Sequence, residues 1–220
     1  FEQAVEYAGE IVKLQNIKLL GLGTNLTCYG GVIPSAENLG TLLRLARGIE
    51  EKYDLQLEII SGGNSSSIHL LQKKQMPEGI NQLRLGESIV LGTESAYGTL
   101  IPGMYSDAFT LAAEIVELKE KPSVPVGEIG MDAFGGKPVF TDKGIIKRAI
   151  VAVGRQDVKH EGLVPKDKGI EILGASSDHM ILDVTSSEKS YKVGDILEFN
   201  LNYGSLLAAA TSEYVAKVIK

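Results

Sequence analysis

Cysteine is almost missing from this 220-residue chain: Cys28 stands alone. No internal disulfide can form, and a reducing, cytoplasmic setting is expected. Histidine is scarce as well. His69, His160 and His179 lie far apart without the spacing of a ligand set, so no metal is expected. No apolar run approaches the length of a membrane span, which argues against a membrane partner. No stretch of clustered lysine and arginine occurs, and the net charge is −6, which argues against a nucleic-acid partner. No signal-peptide pattern opens the chain, and because Phe1 is not Met, removal of something upstream is expected. What is present is ordinary for a globular protein, 44% hydrophobic and 23% charged, enough for one large domain or two small ones.

The first half alternates helix and strand. Phe1 to Gln15 carries apolar residues at helical spacing, and Ile17 to Gly23 reads as a buried strand opening into Thr24-Asn25. Ser35-Ala36-Glu37-Asn38 resembles a helix start, and an amphipathic helix is expected over 38–53. A strand over 55–60 runs into Ser61-Gly62-Gly63-Asn64-Ser65-Ser66-Ser67, with a short helix to about Lys74, a turn at Pro77-Glu78-Gly79, and a strand over 81–85. Functional-looking residues follow each strand, which is the grammar of a parallel α/β barrel. Only three strands are legible, whereas a closed barrel has eight. From about Phe109 the texture changes to strands at 110–119, 147–153, 169–173, 180–184 and 195–199, separated by Gly, Pro, Asp and Asn turns. This predicts an antiparallel β domain, with a short helix over 206–211 and a last strand over 214–219. The expected domains are 1–107 and 108–220, with the boundary near Tyr105-Ser106-Asp107.

Two runs carry the chemistry. The glycine- and serine-rich turn after the second strand exposes backbone N–H groups and hydroxyls, which suits a phosphate. About twenty residues on, Leu83-Arg84-Leu85-Gly86-Glu87-Ser88 puts an arginine at a strand end before a glycine that lets a ligand approach the backbone. A plain loop is the competing reading of the first run taken alone. A surface ion pair is the competing reading of Arg84.

These runs resemble the pyridoxal-phosphate (PLP) side of the alanine-racemase-type barrel, the fold type III enzymes, and within that group most resemble the ornithine racemase branch. The phrases Gly21-Leu-Gly-Thr-Asn25, Ser61-Gly-Gly-Asn-Ser65, Leu83-Arg-Leu-Gly-Glu87, Gly127-Glu-Ile-Gly130, Val153-Gly-Arg-Gln-Asp157, Ile172-Leu-Gly-Ala-Ser-Ser-Asp178 and Asn202-Tyr-Gly204 run in the family's order over nearly the whole chain. The resemblance implies an α/β part followed by a β part: the last three strands of a (β/α)8 TIM barrel, then a complete antiparallel β-barrel-like domain. It implies pyridoxal 5'-phosphate as cofactor. The family's Schiff-base lysine lies on the first barrel strand, and no lysine here sits in a matching motif, so this chain is expected to be inactive alone.

By the same resemblance, Gly62, Gly63, Asn64, Ser65, Gly86 and Glu87 form the phosphate cradle, with the Glu87 carboxylate turned away. Arg84 faces the pyridine nitrogen. Asn25 stands where the family has a histidine against the ring. Arg155 replaces the tyrosine of the family's Gly-Tyr-x-Asp phrase and is a candidate clamp for a substrate carboxylate. Asp178, and with it Asp157, is a candidate for a distal substrate ammonium, which fits ornithine better than alanine. Tyr203 is a further catalytic candidate, with Asp132 and Glu128 behind it. The implied activity is interconversion of L- and D-ornithine by α-proton removal and return, in a homodimer with shared active sites acting on a small amino acid. The alternatives are an alanine racemase or a PLP lyase of the same fold, or a non-catalytic fragment acting as a dimerisation module.

Overall fold

Ser35 starts the principal helix of the first half. Its hydroxyl accepts from the Asn38 backbone N–H at 3.2 Å while the Asn38 carboxamide accepts from Ser35 N–H at 2.8 Å, a reciprocal cap that satisfies donors the helix cannot. The computed structural model describes residues 2–132 and 134–219, and the chain divides into two units, Phe1–Ser106 and Asp107–Lys220.

In the first unit, helix α1 spans Glu2–Val12 and α2 spans Ala36–Tyr53. The expected helix began at Phe1, which lies outside the described residues. Helix α2 ends on Asp54 in the left-handed conformation (φ 48°). Leu42, Ala46 and Ile49 of α2 pack with Ala8, Leu57 and Ile60, each buried aliphatic side chain contributing about 1.5–3 kcal/mol. Gly9 permits the approach of α1 to α2, since a Cβ there would lie 2.2 Å from the Tyr53 hydroxyl oxygen. Strand β1 (Gly21–Gly23) pairs in parallel with β2 (Ile59–Ser61), and α2 forms the crossover. A third parallel segment lies beside β2: Gln82 bridges to Ser61, Gly62 N–H donates to Gln82 O at 2.9 Å, and Arg84 N–H donates to Gly63 O at 2.8 Å.

Three short elements of this unit escape the sequence reading: helix α4 (Glu87–Leu91), which follows helix α3 (Ile68–Gln72), and a hairpin of β3 (Thr93–Glu94) with β4 (Thr99–Leu100). Glu94 organises the hairpin. Fully buried, its carboxylate accepts from the backbone N–H groups of Ala96, Tyr97 and Thr99 and from the Thr99 hydroxyl. Burial alone would raise this carboxyl, but the bonds from Thr99, Ala96 and Tyr97 together hold it below its ordinary value.

The second unit is an antiparallel sheet of six strands, ordered β7-β10-β5-β6-β9-β8. They are β5 (Leu111–Pro122), β6 (Ile145–Val151), β7 (Leu163–Pro165), β8 (Glu171–Ala175), β9 (Met180–Asp183) and β10 (Ile196–Leu201). Leu111, Ala113 and Ile115 alternate into the core from β5, and Leu182, Met180, Leu197 and Phe199 meet them. Strand β8 contacts the 3-10 turn His160–Gly162 that leads into β7, so the sheet curls toward closure. Helix α5 (Tyr203–Thr211) is capped by Asn202, whose side chain accepts from Ser205 N–H at 2.9 Å. The expected strand over 214–219 does not form. Its alternation is apolar on both faces, yet only Val215 packs on the core, and Tyr214, Val218 and Ile219 stay exposed. No helix among the described residues is long and apolar enough to cross a membrane.

Candidate active site

The carboxyl ends of the three parallel segments bring Thr24-Asn25, the 61–67 loop and the 84–88 segment together. Arg84 links them. Its Nη1 donates to the Ser61 hydroxyl and its Nη2 to Thr24 O at 2.6 Å, so two of five donors fix the guanidinium and the rest remain for a ligand. Gly23 leaves the space, since a Cβ there would sit 3.0 Å from Nη1. Gly63 adopts φ +108°, a conformation open to glycine, and a Cβ on Gly62 would meet Ile80 at 2.6 Å. Both glycines therefore shape the loop.

Asn64 caps the 3-10 turn Ser65–Ser67 by accepting from Ser66 N–H at 2.8 Å, and its Nδ2 donates to Asn25 Oδ1 at 2.6 Å. Ser65 is buried and turned inward. Its Oγ accepts from Gly86 N–H at 3.3 Å and Ser88 N–H at 3.2 Å and lies 3.1 Å from the Ser88 hydroxyl. Gly86 N–H is thus engaged within the protein, whereas the backbone N–H groups of Ser65 and Glu87 donate to no acceptor among the described residues. The Glu87 carboxylate accepts from the Thr93 hydroxyl at 3.2 Å. Burial raises this carboxyl above its ordinary value, the Thr93 bond opposing the rise and the neighbouring Glu94 adding to it. The unpaired N–H groups, rotatable hydroxyls and fixed guanidinium are a donor set able to bind an anionic group such as a phosphate. Those residues fit PLP.

In the second unit, two loops hold Arg155 and Asp178. Arg155 N–H and Gln156 N–H donate to the carbonyls of Ser176 and Ser177 at 2.9 Å each, and a Cβ on Gly154 would lie 2.4 Å from Asp178 N. Arg155 Nε donates to Ala175 O at 3.0 Å, and its guanidinium lies 4.4 Å from the centre of the Phe134 ring. Asp178 is exposed and paired with His179 (Oδ1 to Nδ1 3.1 Å), a contact that lowers its carboxyl below the ordinary value. Asp157, by contrast, is buried and structural. It accepts from Gly154 N–H at 3.3 Å and from the Ser212 hydroxyl at 2.7 Å and is 4% exposed, so its carboxylate faces the protein rather than a distal ammonium. Asp132 accepts from Gly136 and Phe134 N–H, bonds that lower its carboxyl, helped by the charge of Arg155. Tyr203 opens α5 and is partly exposed, and Glu128 is exposed in a loop.

Sequence reasoning included Ser88 in the second run but gave it no role, and it missed the anchoring of Arg84 by Ser61 and Thr24. The Ser88 hydroxyl, next to Glu87 in that run, was the available signal. Phe134 carried no such signal.

Comparison with solved structures defines the class. A D-threonine aldolase from Filomicrobium marinum matches with a TM-score of 0.63 at 13% identity, over 94% of this chain and 51% of that one. An alanine racemase from Bartonella henselae with covalently bound pyridoxal phosphate matches with a TM-score of 0.56 at 17% identity, over 96% and 55%. The fold is therefore that of alanine-racemase-type proteins: parallel α/β elements, then an antiparallel β-barrel-like domain. Among curated proteins, the chain is 56% identical over 216 residues to an ornithine racemase from Acetoanaerobium sticklandii, covering 98% of this chain and 61% of the relative. It is 47% identical over 218 residues to a lysine racemase from Thermotoga maritima, covering 99% and 60%. The chain is thus a homologue of both along nearly its full length, and it spans about three fifths of theirs. No family model matches.

Proposed function

We propose that this chain is part of a PLP-dependent amino-acid racemase that interconverts L- and D-ornithine. The observation that carries the reading is the meeting of Asn25, the Ser61–Ser65 loop and Arg84–Glu87 at the ends of three parallel segments. The 56% identity to an ornithine racemase supports the choice of substrate. In this reading the parallel segments are the last three strands of a (β/α)8 barrel, and the β unit serves a cytoplasmic homodimer with shared active sites.

When bound, PLP supplies an electron sink that acidifies the substrate's α-proton. The chain's residues set how it sits. The N–H groups of Ser65 and Glu87, without acceptors among the described residues, would hold the phosphate, and the Ser65 and Ser88 hydroxyl hydrogens could be directed to it. The raised Glu87 carboxyl lessens the repulsion beside a dianion. Arg84, fixed by Ser61 and Thr24, would face the pyridine nitrogen. A guanidinium only donates and cannot accept a hydrogen bond from a protonated nitrogen, so it would favour the neutral ring and a shallower sink, which favours proton return over side reactions. Arg155 binds the α-carboxylate as a charge-assisted pair. Asp178, whose carboxyl is lowered by its contact with His179, would meet the distal ammonium, and Tyr203 would serve as an acid–base group.

The test is chiral chromatography of ornithine, lysine, alanine and serine after incubation with the longest natural form of the protein and PLP. D-ornithine in excess over the other D-isomers is expected. Equal or greater conversion of alanine would reject the substrate, and no conversion of any would reject the activity.

A further inference from the structure

One side chain ties the chain just after β1 to the 61–67 loop. Asn64 Oδ1 accepts from Ser66 N–H at 2.8 Å, and its Nδ2 donates to Leu26 O at 2.9 Å and to Asn25 Oδ1 at 2.6 Å. The direction of every bond is dictated by chemistry. A backbone N–H can only donate, so the Asn64 oxygen must face Ser66. A carbonyl can only accept, so the Asn64 nitrogen must face Leu26 and, with its other hydrogen, Asn25. Asn25 is then obliged to offer its own oxygen inward, and its Nδ2 has no protein acceptor among the described residues. Asn25 is exposed and adjoins Thr24, whose carbonyl anchors Arg84 at 2.6 Å. A fixed neutral donor and a fixed cation therefore share the end of β1.

We propose that Asn64 is a positioning residue that locks Asn25 as a hydrogen-bond donor to an anionic ring oxygen, the 3-oxygen of the bound pyridine. The proposal deepens the PLP reading and rests on it. A donor at that oxygen stabilises its ionised form, whereas the opposite amide orientation would repel it. Arg84 cannot report this difference, because its anchors, Ser61 and Thr24, do not involve Asn64.

Pyridoxamine 5'-phosphate is the probe, since it binds without a covalent bond and its absorption and fluorescence follow ionisation of the 3-hydroxyl. In N64D the new carboxylate still accepts from Ser66 N–H, so the turn keeps its cap, but it offers no donor. The Asn25 amide must then turn its nitrogen inward and present oxygen to the ligand. The expected result is a bound 3-hydroxyl titrating roughly one pH unit higher, with affinity for the probe about tenfold weaker. N25L, which leaves the cap untouched, should raise the same titration, and N25L/N64D should be no worse than N25L, because the two residues act as one unit. Circular dichroism establishes that each variant is folded. An unchanged titration and affinity in N64D or N25L would overturn the proposal and leave the PLP reading standing. All variants are made in the longest natural form of the protein, and failure of that form, unsubstituted, to take up the probe would overturn the PLP reading, and the proposal with it.

Discussion

Replacing Ser65 by alanine removes the acceptor that ties the 61–67 loop to α4. In the native chain Ser65 is 3% exposed and its Oγ receives two backbone donors, Gly86 N–H at 3.3 Å and Ser88 N–H at 3.2 Å. Both bonds are long, so each contributes at the low end, about 0.5 kcal/mol. The loss is larger than their sum by part of the desolvation of donors left unmatched, so S65A should destabilise the first unit by about 2–3 kcal/mol. Against a total stability of about 5–15 kcal/mol this is a large fraction. With a urea dependence of about 2 kcal/mol per molar, the midpoint should fall by about 1 M, followed by far-UV circular dichroism. S88A keeps both donors satisfied and loses only the hydroxyl contact at 3.1 Å, so it should cost about 1 kcal/mol or less. Pyridoxamine 5'-phosphate should recover part of the S65A loss, since a phosphate oxygen would accept from the vacated N–H groups and stabilise the native state by mass action. A midpoint shift below about 0.3 M in S65A would mean that the serine does not hold these elements together.

Three further outcomes are expected. Gly154→Ala would push a Cβ to 2.4 Å from Asp178 N. It should therefore cost about 1–3 kcal/mol of stability while lowering ornithine turnover more than that loss explains, read by urea unfolding beside kcat/KM. The folded Glu94 carboxyl lies below its ordinary value, so its stabilisation is full above the unfolded value and is lost as pH falls through the folded one. E94Q should cost about 2–3 kcal/mol at neutral pH and show a shallower decline in urea midpoint from pH 6 to pH 3 than the native chain. Asp178→Ala should reduce the ratio of kcat/KM for ornithine over alanine about tenfold or more, and that ratio in the native protein should stay flat through the neutral range on Asp178's account, because its carboxyl is lowered.

Elements with a strong period or a chemical punctuation mark were legible in the sequence. The Ser35–Asn38 cap and the stripe of Leu39, Leu42, Ala46 and Ile49 announced α2, and the alternation in Leu111–Ile115 announced β5. Short elements held by tertiary contacts were not. Helix α4 has five residues, and the β3–β4 hairpin closes around a buried glutamate, a residue that pattern reasoning assigns to the surface. The strand expected over 214–219 failed for the opposite reason: its local propensity was good, but little apolar surface is buried there. At the site, the glycine- and serine-rich turn was legible as a loop rich in backbone donors and hydroxyls. Spacing alone could not tell that the Ser65 hydroxyl serves backbone donors or that Asn64 fixes Asn25, because both depend on which strand ends the fold makes neighbours.

The central claim, α-proton chemistry on ornithine, is tested most directly by solvent exchange. The longest natural form of the protein, supplied with PLP in heavy water, is given L-ornithine, L-lysine, L-alanine and L-serine separately. Deuterium should enter the α-position of ornithine, with D-ornithine appearing at a similar rate and little exchange on alanine or serine. Bound PLP with no deuterium in any of the four would contradict the racemase account.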